Sequence, residues 1–156
     1  MASSLATMQH HQIREWIDVL AARRAAKLLA REIGFAARET TELAIVTSEL
    51  GSNILKYGLH GSISLRAIPR VEGAQAGISV VARDFGPQFH DLTIALQDGC
   101  DDRGPLDPML MLKRQGIGGG LGAVLRLTHS FSVNPLVVGK EITVERYLKQ
   151  AASRSG

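Results

Sequence analysis

The chain has a single cysteine, Cys100, among its 156 residues. One cysteine excludes an intrachain disulfide and a cysteine-based zinc site, and it suits a reducing compartment. Aromatic residues make up only 4%, so the core must be built mostly from Leu, Ile, Val and Ala. No apolar run approaches the roughly 18 residues of a membrane span. The opening MASSLATMQHHQ lacks the basic start and apolar stretch of a secretory leader. Lysines and arginines are scattered, with no runs of them interleaved with aromatic residues, which argues against a nucleic-acid footprint. These absences predict a cytoplasmic protein with no nucleic-acid and no membrane partner. What remains is ordinary for a globular domain: 45% hydrophobic residues, 21% charged and a net charge of +3. The length fits one domain, and a chain of this size buries about 70% of its unfolded surface.

Segment 1–9 is polar and small and is expected to be disordered; a domain over 10–149 follows, then a tail over 150–156. HQIREWID, 11–18, reads as a first strand on Ile13 and Ile17, although Trp16 breaks the alternation. Asp18 reads as the N-cap of the next helix, and Gly34 as its left-handed end. A second helix fits 37–58. Leu43, Val46, Leu50, Ile54 and Tyr57 recur there at three- and four-residue steps and predict one buried face. SISLRAIP and GISVVARD read as strands joined by a turn over 70–76. Residues 85–115 carry Pro87, Pro105 and Pro108 and read as a lid with two helical pieces, LTIALQ and PMLMLK. LGAVLRLTHS then reads as a helix, and FSVNPLVV and KEITVERYL as strands, the first bent at Asn134 and Pro135. The expected fold class is α+β, an α/β sandwich whose mixed, mostly antiparallel sheet carries helices on one face.

Three short stretches carry chemistry. Glu49 and Asn53 lie four apart on the second helix and therefore project from one face. An amide oxygen suits a hard cation, and a carboxylate one turn away can deprotonate a hydroxyl. The bland alternative is an exposed Glu and Asn beside an apolar stripe. Asp84 ends a strand and turns at once through Gly86 and Pro87. It could accept a hydrogen bond from the amino group of a base, or simply initiate the turn. GIGGGLGA places glycine at 116, 118, 119, 120 and 122. Each costs about 0.5–1 kcal/mol in regular structure relative to alanine, so a close backbone approach is implied. A dinucleotide fingerprint is discounted, because no strand immediately precedes it and FSVN carries no acid. A hinge and a phosphate cradle at a helix start remain.

In this order, E-x-x-x-N, D-x-G-P, a lid and G-x-G-x-G, the stretches resemble the GHKL ATPases of the Bergerat fold. The likeness runs from about residue 10 to residue 149. Within that group it is similar to the RsbT-type switch kinases of bacterial partner-switching systems, with the RsbW and SpoIIAB anti-sigma factors close behind. AARRAAKLLAREIGF, SELGSNILKYG and ISVVARDFGP carry it. Tyr57, where anti-sigma kinases tend to have His, and the start IREWIDVLAARR point to the switch kinases. Sensor histidine kinases share the ATP fold, but His10-His11-Gln12 is not a phosphoacceptor motif.

The resemblance implies ATP and Mg2+ as cofactors and a serine or threonine of a STAS-domain antagonist as substrate. A PP2C-type phosphatase or a sigma factor is a further partner it allows, as is a homodimer. Asn53 would ligate the metal, Glu49 would act as base and Asp84 would hold adenine. Gly86 would let the base lie close, and Gly116, Gly118, Gly120 and Gly122 would wrap the phosphates. Arg114, two before Gly116, resembles a lid arginine that reaches them. One position departs from D-x-G-x-G: Gln88 replaces the second glycine. A side chain there would crowd the nucleotide or stiffen the lid, which favours the competing class, a module that acts by sequestering a partner.

Overall fold

The computed structural model describes residues 8–89, 92, 96, 100–101, 104–105 and 120–150. Strand β1 (Gln9–Ile13) leads into helices α1 (Trp16–Ile33) and α2 (Ala37–Tyr57). Strands β2 (Gly61–Ile68) and β3 (Gly77–Asp84) follow, then the two-residue strands β4 (Cys100–Asp101) and β5 (Gly104–Pro105). Helix α3 (Gly120–Arg126) and strands β6 (Ser130–Pro135) and β7 (Lys140–Tyr147) complete the order. The main sheet runs β1-β2-β3-β7-β6, and β4 with β5 forms a separate ribbon. Every pairing among the described residues is antiparallel, so the expected mixed sheet is not mixed there. Turns close β2 onto β3 and β6 onto β7, and such direct connections need no crossover.

Alternation along the strands divides the sheet into two faces. Ile63 and Leu65 of β2, Ile78, Val80 and Ala82 of β3, and Ile142 and Val144 of β7 are all buried. They share one core cluster, in which β2 and β3 pack on α1 and α2, while Arg66 and Arg83 on the opposite phase stay exposed. The helix layer therefore lies on one face, as expected.

The first strand ends earlier than the sequence suggested. Asp18 is the third helical residue, not the N-cap, a place taken by Glu15. Its carboxylate accepts the N–H groups of Arg14 at 2.9 Å and Glu15 at 3.0 Å. Those two donors hold the Asp18 carboxyl below its ordinary range. The reach back from inside the helix stops the strand at Ile13 and starts α1 at Trp16. Ile17 accordingly faces solvent, 68% exposed. At the far end Gly34 adopts φ 112°, the expected left-handed stop. Gln9 is already in β1, so order begins within the segment expected to lack it.

Helix α2 is buried without interruption from Val46 to Ile54. One amphipathic face was expected, but α1, the sheet and α3 each cover part of the helix. Tyr57, expected on the buried face, is 38% exposed. It sits beside exposed Lys56 in the last turn, where that cover ends. Where α1 and α2 touch, a Cβ on Gly51 would lie 2.7 Å from Cγ1 of Val19, so the backbones approach across a glycine. Glu42 ties α2 to β7 by accepting from Arg146 at 2.5 Å, and it also pairs with Arg38 at 3.1 Å.

The last helix is shorter than LGAVLRLTHS. Its turn ends near Thr128, whose hydroxyl donates to the Val124 carbonyl at 2.8 Å. The His129 N–H already donates to the Glu145 carbonyl at 2.9 Å, so pairing with β7 takes over. Strand β6 stops at Pro135, and a turn closed by Leu136 N–H to Gly139 O at 3.0 Å leads to β7. Most of the expected lid, PMLMLK included, lies outside the described residues. Of LTIALQ only Leu92 and Leu96 are described, joined by one helical hydrogen bond of 3.0 Å. Among the described residues no helix is long and apolar enough to cross a membrane.

Two outcomes follow. Gly51→Val overpacks the α1–α2 contact and costs about 1–3 kcal/mol in denaturant unfolding; Val19→Ala in the same chain recovers part of it. Burial works against the charge on Glu42, but the hydrogen bonds and charges of Arg146 and Arg38 outweigh it and hold its carboxyl below the usual range. The stabilisation it contributes is therefore complete above the unfolded carboxyl's pKa and fades as pH falls through the lowered folded value. Glu42→Gln should make unfolding less sensitive to acid in that window, read from chemical denaturation at stepped pH.

Candidate functional site

Five polar side chains lie buried within a short run of α2: Thr47, Ser48, Glu49, Ser52 and Asn53. Thr47 satisfies its hydroxyl locally, donating to the Leu43 carbonyl at 2.9 Å. Glu49 is 1% exposed and Asn53 is 8% exposed. The alternative of two solvated side chains on an ordinary helix face is thereby set aside. Their four-residue spacing puts them one turn, about 6 Å, apart along the axis. Burying a carboxylate is costly unless hydrogen bonds or charges compensate it.

Asp84 closes β3 on the helix-facing phase and is 2% exposed. Its cross-strand neighbours are Gly61 on β2 and Lys140 on β7. Its Oδ1 accepts the Gly86 N–H at 2.9 Å, so the turn-initiating role foreseen for it is real. The turn is pressed against the end of α2: a Cβ on Gly86 would overlap the Tyr57 carbonyl oxygen and crowd the Gly58 Cα. Asn53 lies five residues before Gly58, roughly 7–8 Å back along the helix axis. Strand end and helix interior therefore belong to one neighbourhood. The close approach that Gly86 permits is filled, at least in part, by the protein's own backbone.

Lys140 was missed as a site residue. Its ammonium lies 3.1 Å from each carboxylate oxygen of Asp84 and donates to the Pro87 carbonyl at 2.9 Å. It also sits 5.0 Å above the Phe89 ring centre. The signal was in the alternation: Lys140 shares its phase with Ile142 and Val144, so it had to point inward. Gln88 donates from its side-chain amide to the Gly139 carbonyl, which gives the departure from glycine a partner inside the protein. Gly139 has φ 88°, and a Cβ there would overlap the Asp84 carbonyl.

Gly120 and Gly122 are buried in the first turn of α3, which packs on α2. Arg114, Gly116 and Gly118 lie outside the described residues. Among the described residues no group of three or more His, Cys, Asp or Glu side chains gathers to hold a metal.

A model of the histidine kinase-like ATPase domain matches residues 15–145. The chain belongs to that family. The GHKL likeness of the sequence therefore holds, and every candidate residue falls inside the matched span. One relative is the serine/threonine-protein kinase RsbT of Bacillus subtilis (strain 168). It is 30% identical over 136 residues, which cover 86% of this chain and 92% of that protein. For a histidine kinase-like ATPase domain, the described part of the site is a buried polar helix run that leads to a strand-end carboxylate already paired with a lysine.

Gly139→Ala should lower stability by about 1–3 kcal/mol in denaturant unfolding, since it adds a clash with Asp84 to left-handed strain. Gly73, at φ 80° with nothing within 4 Å of an added Cβ, is the control. Gly73→Ala should cost only the strain, about 1–2 kcal/mol.

Proposed function

We propose that this chain is a cytoplasmic, ATP-dependent serine/threonine protein kinase of a partner-switching system, acting on a STAS-domain antagonist. Family membership and the kinase relative support the ATP reading. The observation that carries the site is the burial of Glu49 and Asn53 on the helix whose end packs against Asp84.

Mg-ATP, when bound, would supply the γ-phosphoryl group, which passes to the hydroxyl oxygen as its bond to ADP breaks, and the metal ion would supply positive charge that neutralises the phosphates. Asn53 offers its amide oxygen to the metal. Glu49, one turn back on the same helix, takes the proton of the attacking hydroxyl; burial raises the strength of that interaction by excluding water. Asp84 accepts the exocyclic amino group of adenine. Backbone N–H groups over Gly116, Gly118, Gly120 and Gly122 gather phosphate oxygens, with Arg114 as the lid's cation. Phosphoryl transfer asks chiefly for positioning and charge neutralisation, so this small set suffices.

The Asp84–Lys140 pair and Gln88 favour a second reading, a module that sequesters a sigma factor or a phosphatase activator and transfers little phosphate. Labelled ATP supplied with a candidate STAS partner separates the two. Label on a partner serine or threonine supports the kinase; a tight complex without label supports the module.

For the kinase, Asn53→Ala should abolish magnesium-dependent ATP binding while the folded circular dichroism spectrum persists; unchanged affinity removes the metal role. Glu49→Gln should retain ATP binding and lower transfer by about 10²–10⁴-fold, the usual worth of a general base. Full activity in that variant removes the base assignment.

A further inference from the structure

The carboxylate given to the base in the proposed function is already engaged. Both oxygens of Asp84 lie 3.1 Å from the Lys140 ammonium, and Oδ1 also accepts from Gly86. The two side chains are 3% and 1% exposed, so no ring edge reaches the carboxylate while the pair stands. A base's amino group and a lysine ammonium are both N–H donors, and the charged one bonds a carboxylate more strongly. Lys140 is itself held. Pro87 accepts from it at 2.9 Å, the Phe89 ring lies beneath it at 5.0 Å, and Gln88 between them donates to the Gly139 carbonyl. Three successive residues thus fasten the chain leaving Asp84 back onto the start of β7.

We infer that Lys140 is the affinity-setting residue of the base site: its ammonium stands where the base's amino group binds, and segment 87–89 keeps it there. The inference rests on the proposed function, because it takes Asp84 as the acceptor for the base. Nucleotide binds only molecules in which the pair has parted, and the apparent affinity falls by the fraction that has done so.

The test is calorimetric titration of Mg-ATP, and separately Mg-inosine triphosphate, into the full chain. Native protein is compared with Lys140→Thr, Lys140→Met and a Gln88→Gly/Phe89→Ala double variant that leaves the ion pair but loosens the segment. Both Lys140 variants should bind ATP about tenfold tighter or more, and the double variant should show a smaller gain. Preference for ATP over inosine triphosphate, which lacks the amino group, should rise in the Lys140 variants. Removing the ammonium leaves a buried carboxylate unpaired, so these variants should melt lower without ATP. If neither folds, the double variant decides: tighter ATP binding supports the inference, and unchanged binding overturns it. Folded Lys140 variants that bind ATP no better than native overturn it and leave the nucleotide reading standing. Absence of ATP binding in every protein overturns both.

Discussion

The enclosure of α2 is the constraint from which the rest follows. A helix covered by α1, by the sheet and by α3 has no side that faces bulk water through its middle. Each residue from Val46 to Ile54 must therefore either fill space or serve a purpose inside the protein. Leu50 and Ile54 fill it, and Gly51 leaves room for Val19. Glu49 and Asn53 do neither job well, since apolar residues of similar size would pack there without desolvating a charge and an amide. Their burial is the observation on which the roles proposed for them rest.

The same helix end fixes the second half of the site. Gly86 lies against the Tyr57 carbonyl and the Gly58 Cα, so the turn leaving β3 is seated by α2 rather than by β3 alone. Asp84 is held there between Gly61 and Lys140 on the neighbouring strands. Its charge is compensated within the protein by the ammonium, and buried pairs of this kind are expensive to break from one side. The pair is consistent with both functional readings. A kinase would have to open it in order to take a base, whereas a sequestering module can leave it closed.

Much of the fold was legible because local rules agreed with one another. The apolar steps along α2 predicted a helix over 37–58, against the observed Ala37–Tyr57, and GISVVARD is β3 as expected. The failures fell where a distant group outbid a local preference. HQIREWID looked like a strand until the Asp18 carboxylate reached back to the N–H groups of Arg14 and Glu15. LGAVLRLTHS looked helical throughout until His129 found the Glu145 carbonyl on β7. Tyr57 has the spacing of a core residue, but spacing does not say how far the neighbouring elements extend.

The sequence by itself determined the family, the α+β layering and the candidates Glu49, Asn53 and Asp84. The layering follows from periodicity, and the family and the candidates from a resemblance carried by the order of short motifs, all of them properties of the chain read along its length. Only the tertiary structure decided that α2 is wrapped on several sides and that Lys140, 56 positions beyond Asp84, sits upon its carboxylate. Strand register sets that contact, and register is the outcome of packing whole elements together rather than of any residue's own preference.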